Sequence, residues 1–151
     1  MLETTQKLVC SKKFDPSLFI GEGWSAAEQD ERANELSEID MSTIGLVTCL
    51  ETDEQSLTGD ERVRRLKKTP HIRLGGRAFL ALWENQRLIP ESWQEPFFFV
   101  FFDGLILLHH NGQRYSLYLS RSDNGWRWYT GWLGNTRSAR NPSAVLAGSQ
   151  H

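Results

Sequence analysis

Residues 96–133 carry three Asx-Gly dipeptides, Asp103-Gly104, Asn111-Gly112 and Asn124-Gly125, set between runs of aromatic and aliphatic residues. Such a pair is the strongest short-range hairpin signal, because a type I′ turn needs positive φ at both central residues, where Asn, Asp and Gly are least strained. Three in succession predict a four-stranded antiparallel β-meander over about 97–133, with strands at 97–102, 105–110, 113–123 and 126–133.

The chain before the meander reads as mostly helical, so the fold class expected is α+β. Asp15-Pro16-Ser17 opens one helical turn, with Asp15 as cap and proline at the first helical position. Ser25-Ala26-Ala27-Glu28 is a capping box that predicts a polar surface helix running to Leu36 or Ser37. Residues 46–50 suggest a fifth strand. Thr58-Gly59-Asp60-Glu61 is a second capping box, leading into a basic helix over 61–68 of which only Val63 and Leu66 point inward, and Pro70 ends it. Ala78, Phe79, Leu82 and Trp83 mark a third, amphipathic helix. At 151 residues the expectation is a single domain over 1–133, followed by a loosely ordered basic tail over 134–151 in which Gly, Asn, Ser, Arg and Ala predominate.

Two-residue turns would fix the register and with it the faces of the meander, placing Phe102 opposite Leu105, His110 opposite Gln113 and Asp123 opposite Trp126. One face then gathers Phe97, Phe99, Phe101, Ile106, Leu108, His110, Tyr115, Leu117, Leu119, Trp128 and Trp132. This is the expected core, covered by the helix with Phe79, Leu82 and Trp83. The other gathers Phe98, Val100, Phe102, Leu105, Leu107, His109, Arg114, Ser116, Tyr118, Ser120, Arg127 and Tyr129. Its last two strands are polar enough to stay wet. Interleaved Arg and Tyr on an open antiparallel face suit an acidic protein partner or stack unpaired bases, and they also suit the solvated side of any sheet.

Charge divides the chain. Residues 1–60 hold 13 Asp and Glu against 4 Lys and Arg, whereas residues 61–151 hold 6 against 13. Opposite halves of one compact chain are expected to face and neutralise each other. The densest positive cluster is the basic helix, where Arg64, Arg65 and Lys68 are candidates for phosphate contact, and Arg73, Arg77 and Arg87 would extend the patch. The competing reading pairs that helix with the acidic residues just before it.

The residues name no catalytic group, metal ligand or cofactor. His109 and His110 adjoin on an expected strand, which would send them to opposite faces with His110 buried, and neither Cys10 nor Cys49 has metal-like spacing to a histidine. No phosphate-binding glycine loop and no Gly-x-Ser-x-Gly elbow occurs. No apolar run reaches membrane-spanning length and the first residues lack the pattern of a signal peptide, so a cytoplasmic location is expected.

Three segments resemble a group of small bacterial proteins to which no activity is attached. They are Thr58-Gly59-Asp60-Glu61-Arg62, then Leu82-Trp83-Glu84-Asn85-Gln86 with Leu88-Ile89-Pro90-Glu91-Ser92-Trp93, and Pro142-Ser143-Ala144-Val145-Leu146-Ala147, with Phe102-Asp103-Gly104 between the last two. The resemblance implies a bacterial, stand-alone domain and brings no site residues.

The function expected from the residues is a non-catalytic interaction module that binds an unknown protein through Arg114, Tyr118, Arg127 and Tyr129. The alternatives are single-stranded RNA or DNA on the same face together with Arg64, Arg65 and Lys68, and a small enzyme of unknown class. Self-association through the last edge strand is a further expectation.

Overall fold

The computed structural model describes residues 6–147. Strand β1 (Lys7–Val9) leads to the one-turn helix α1 (Pro16–Phe19), capped as expected by Asp15, which accepts from Ser17 N at 3.0 Å. Strand β2 (Trp24–Gln29) and the short helix α2 (Glu31–Asn34) follow. Ser25 therefore starts a strand, contrary to the capping-box reading. Ser25, Ala26 and Ala27 are exposed, so a helix there has no apolar stripe to bury, whereas extended backbone supplies hydrogen bonds to the open edge of a long strand. The cap moves to Asp30, whose carboxylate accepts from Arg32 N.

Strands β3 (Glu38–Asp40), β4 (Ile44–Val47) and β5 (Ser56–Thr58) come next, β4 overlapping the fifth strand expected over 46–50. Helix α3 (Gly59–Leu66) is capped by Thr58, whose Oγ1 accepts from Glu61 N at 3.1 Å. Then follow β6 (Ile72–Arg73), α4 (Gly76–Glu84), three long strands β7 (Phe99–His109), β8 (Arg114–Ser122) and β9 (Gly125–Trp132), and two short ones, β10 (Thr136–Ser138) and β11 (Ser143–Leu146). None of the described helices is long and apolar enough to cross a membrane.

The architecture is α+β and rich in antiparallel pairing, but the main sheet has seven strands where a four-stranded meander was expected. Its path is β4-β11-β7-β8-β9, with β2 added to β7 and β6 to β11. β11 runs parallel to β7 and antiparallel to β4 and β6, which makes the sheet mixed. Residues 134–147, read from the sequence as part of a loose tail, thus supply β10 against β5 and β11 inside the main sheet, where Ser143 and Ala144 are fully buried. The remainder of that tail, 148–151, lies outside the described residues.

Asp103-Gly104 is not a turn. β7 runs through it as one strand of eleven residues, with a shift of register against β8 between Phe102 and Leu107. Glycine is required there by a close approach: a Cβ on Gly104 would lie 2.1 Å from the Arg73 carbonyl oxygen. Gly104 N donates to Leu74 O at 2.8 Å, and Gly104 O accepts from Asp30 N at 2.8 Å. The outer edge of β7 forks at this point. Its first half meets β11 at Phe101, its second half meets β2 from Leu105 to His109, and the chain at β6 fills the gap.

The Asn111-Gly112 hairpin does form, but its loop has three residues, with His109 N donating to Gln113 O at 3.0 Å and Gly112 at φ +88°. One extra residue inverts every side chain of β7 relative to β8. Phe99 and Phe101 consequently share a face with Tyr118, while Val100, Phe102, Leu105 and Leu107 join Leu117 and Leu119. The last turn pairs Ser122 with Gly125, a shift of two residues along β9 that leaves the faces of β8 and β9 as expected.

The main core lies on the Leu117/Leu119 face. Helix α4 covers it with Phe79 and Leu82, and Phe79 meets Phe102 edge-on at 5.6 Å. Phe14 and Phe19 reach the same cluster, Phe19 lying 4.9 Å from the Trp128 ring. Full burial of each such side chain contributes about 1.5–3 kcal/mol. A smaller cluster of Val63, Ile106 and Leu133 seats α3 on the opposite face.

Candidate functional site

On the face away from the main core, Phe99, Phe101, Tyr118 and Tyr129 form one aromatic row across three strands. Ring centroids are 5.1 Å apart for Phe99–Tyr118, 4.6 Å for Phe101–Tyr118 and 5.4 Å for Tyr118–Tyr129. Register makes the row, since Phe101 is opposite Tyr118 and Tyr118 opposite Tyr129. Phe101 is buried, Phe99 and Tyr118 are half-buried, and Tyr129 is 47% exposed. Burial, and then the neighbouring Tyr129, push the Tyr118 phenol above its ordinary pKa. Arg127 shares this face, exposed and opposite Ser120.

A cleft of about 300 Å³ opens beside the row, bordered by Phe99, Phe101, Tyr118, Trp132, Arg137 and Asn141. Arg137, from β10, is only 2% exposed. Its guanidinium stacks on Phe101 at 4.2 Å and donates to the carbonyls of Gly131 at 3.3 Å, Trp132 at 3.1 Å and Asn135 at 3.3 Å. Arg62, from α3, is fully buried and lies 5.3 Å from the same ring.

Arg62 faces the fork of the sheet. Arg62 Nε and Nη2 each lie 3.1 Å from Asp103 Oδ2, Arg62 Nη1 donates to Asn141 O, and Arg73 Nη1 donates to Asp103 O at 3.0 Å. Burial alone would raise the Asp103 carboxyl. Arg62, Ser143, Arg137 and Ser116 outweigh it and hold the group below its ordinary value. The two serine hydroxyls are near enough to contribute, although neither closes a well-shaped hydrogen bond among the described residues. Arg137 is drawn down to about 10, because its burial exceeds what Asp103 returns.

The charges proposed for phosphate contact are differently placed. Arg64 is bound to Glu61, and Arg65 donates to Glu54, Glu61 and the Cys49 carbonyl. These contacts hold Glu54 down to about 2 through Arg65, and Glu61 down to about 2 through Arg64 and then Arg65. Lys68 is exposed, and its neighbour Lys67 pairs with Glu28 at 2.6 Å. Arg114 bridges Glu28 at 3.6 Å and Asp60 at 3.4 Å. Arg73 is buried, and Arg77 donates to Asn34 O. Of the residues predicted from sequence, the structure gathers Tyr118, Arg127 and Tyr129 on one patch and ties Arg114, Arg64 and Arg65 to carboxylates. Phe99, Phe101, Arg137 and the Arg62–Asp103 pair were missed. One signal was available: Arg62 stands four residues before the inward-facing Leu66, on the same side of the helix.

His110 is exposed rather than buried, and its ring lies 4.1 Å from that of His109, because His110 belongs to the three-residue loop and escapes the alternation of a strand. Among the described residues no group of three or more His, Cys, Asp or Glu is placed to hold a metal ion. Cys10 and Cys49 are free thiols, both raised chiefly by burial, Cys10 to about 11.

Compared with known proteins, the chain matches no family model, no curated protein and no solved structure.

Proposed function

We propose that this chain is a non-catalytic interaction module that binds another protein through the Tyr118/Tyr129 face of β8 and β9. The reading is supported by the aromatic row of Phe99, Tyr118 and Tyr129, open to solvent beside a cleft while the other face of the same strands is packed into the core. Tyrosine and arginine present large, stiff, amphipathic surfaces and dominate binding hot spots. A tyrosine at the centre of such a patch is worth about 2 kcal/mol, or about 30-fold in affinity.

The test is affinity purification from the native host with and without nuclease. Tyr118→Ala with Tyr129→Ala should abolish recovery of a nuclease-resistant partner while the variant keeps its cooperative unfolding transition. Retention of the same partner by the folded variant would falsify the reading. Single-stranded RNA or DNA is the competing ligand class, favoured by the exposed Arg127 close to Tyr129. Its mark is steep weakening with salt, about 0.7 in the log–log slope per phosphate contact, flattened by Arg64→Gln, Arg65→Gln and Lys68→Gln together. The ion pairs of Arg64 and Arg65 weigh against it, because a phosphate must first displace Glu54 and Glu61.

A further inference from the structure

We infer that the occupant of this face is an extended, acidic segment of a partner protein, added as a further strand along the outer edge of β9 with carboxylates aimed at Arg127. The inference deepens the protein-binding reading and rests on it.

The first support is the edge itself. β9 pairs with β8 through eight consecutive residues without a bulge, and among the described residues no strand lies on its other side. Leu133 N donates inward to Arg114 O, so by alternation residues 127, 129 and 131 also bond inward, and the amides and carbonyls of Trp126, Trp128 and Thr130 point outward. Exposed edges are ordinarily protected by proline, bulges or several charges. β9 has one charge, Arg127, and no proline. It is a regular template for strand addition.

The second support is charge. Between Gly104 and Ala147 the chain has five arginines and a single acid, Asp123. Arg114 and Arg140 are engaged by carboxylates. Arg127 and Arg121 are in no ion pair among the described residues; Arg121 lies against Trp126 on one face of the β8–β9 ribbon, while Arg127 flanks Tyr129 on the other. Behind the cleft, Arg62 is paired with Asp103 whereas the buried Arg137 bonds only carbonyls and the Phe101 ring, so the interior adds positive potential under the Tyr face. A strand with acidic residues at alternate positions would set them on the face of Arg127 and Tyr129, and its intervening groups on the opposite face beside Trp126 and Trp128.

The probe is a set of synthetic peptides with alternating Thr and Glu, Thr and Gln, or Thr and Lys, titrated into the full chain by fluorescence anisotropy with amide hydrogen exchange read in parallel. The expected result is binding of the Glu peptide at least about tenfold tighter than the Gln peptide, with the Lys peptide weakest. Exchange should slow at Trp126, Trp128 and Thr130, and Arg127→Gln should reduce the Glu peptide to the level of the Gln peptide, whereas Arg121→Gln, on the opposite face, should leave it unchanged. Equal binding of Glu and Gln peptides with protection at those amides overturns the acidic preference and leaves the protein-binding reading intact. Protection elsewhere, or none at all, overturns strand addition. Concentration-dependent protection of those amides in the free protein also overturns it, in favour of a second copy. Loss of the protein-binding reading is scored separately, by the tyrosine variant.

Discussion

Asp103 carries its charge inside the sheet, where an unpaired carboxylate is strongly disfavoured, and Arg62 supplies the counter-charge at 3.1 Å. Asp103→Asn keeps the shape but leaves the fully buried Arg62 guanidinium without its counter-charge. The expected loss is about 3–5 kcal/mol by urea unfolding, and Arg62→Met combined with Asp103→Leu should recover much of it. The pH response has a definite sign. The Asp103 carboxyl titrates lower in the folded protein than in the unfolded chain, so its contribution is complete above about pH 3.9 and is lost as pH falls through the folded value. Glu54 and Glu61 act in the same direction, over the interval from their ordinary range down to about 2. Acid unfolding should therefore begin only well below pH 4, and in Asp103→Asn the acid-dependent part of stability should shrink. Nothing local in Asp103-Gly104 distinguishes a turn from a bulge that aims a buried acid. The deciding contact, Gly104 against Arg73, is thirty-one residues away in the chain, and no short-range pattern reports it.

Among the elements, local signals succeeded where nothing distant competed. Thr58 and Ser25 each open a capping box. Thr58 caps α3, because Arg62, Val63 and Leu66 give that helix a side to bury. Ser25 lies in β2, because the open half of β7 offers a hydrogen-bond ladder that a polar helix cannot match. Thr58→Ala should cost about 1 kcal/mol, seen as a lower urea midpoint at unchanged m-value. Turn position was likewise legible at Asn111-Gly112, whereas loop length was not. That single residue decided which phenylalanines line the candidate site: Phe99 and Phe101 were expected in the core and instead flank Tyr118. The Tyr118/Arg127/Tyr129 patch survived only because the error in the last turn was even.

Across the whole molecule, the acidic first part and basic remainder do meet. Glu28 alone lies within ion-pairing reach of Lys67, Arg73 and Arg114, and Arg65 holds Glu54. The net charge of each half therefore says little about partners, and what β8 and β9 add is two arginines, Arg121 and Arg127, in no ion pair among the described residues. The largest misjudgement concerned the polar stretch after Leu133, where a composition typical of loose chain hides the short buried run Ala144-Val145. A chain ended after Asn141 should show no cooperative transition in urea, since it would lack a strand that β4, β6 and β7 all use. That strand also dictates timing. Leu146 pairs with Ile44, about one hundred residues earlier, and closure over such a span is slow. On the ribosome the sheet cannot close while residues 143–146 remain in the exit tunnel. Until those residues emerge, β4 and the outer edge of the first half of β7 are unpaired, and it is in that interval that a holding chaperone would protect them.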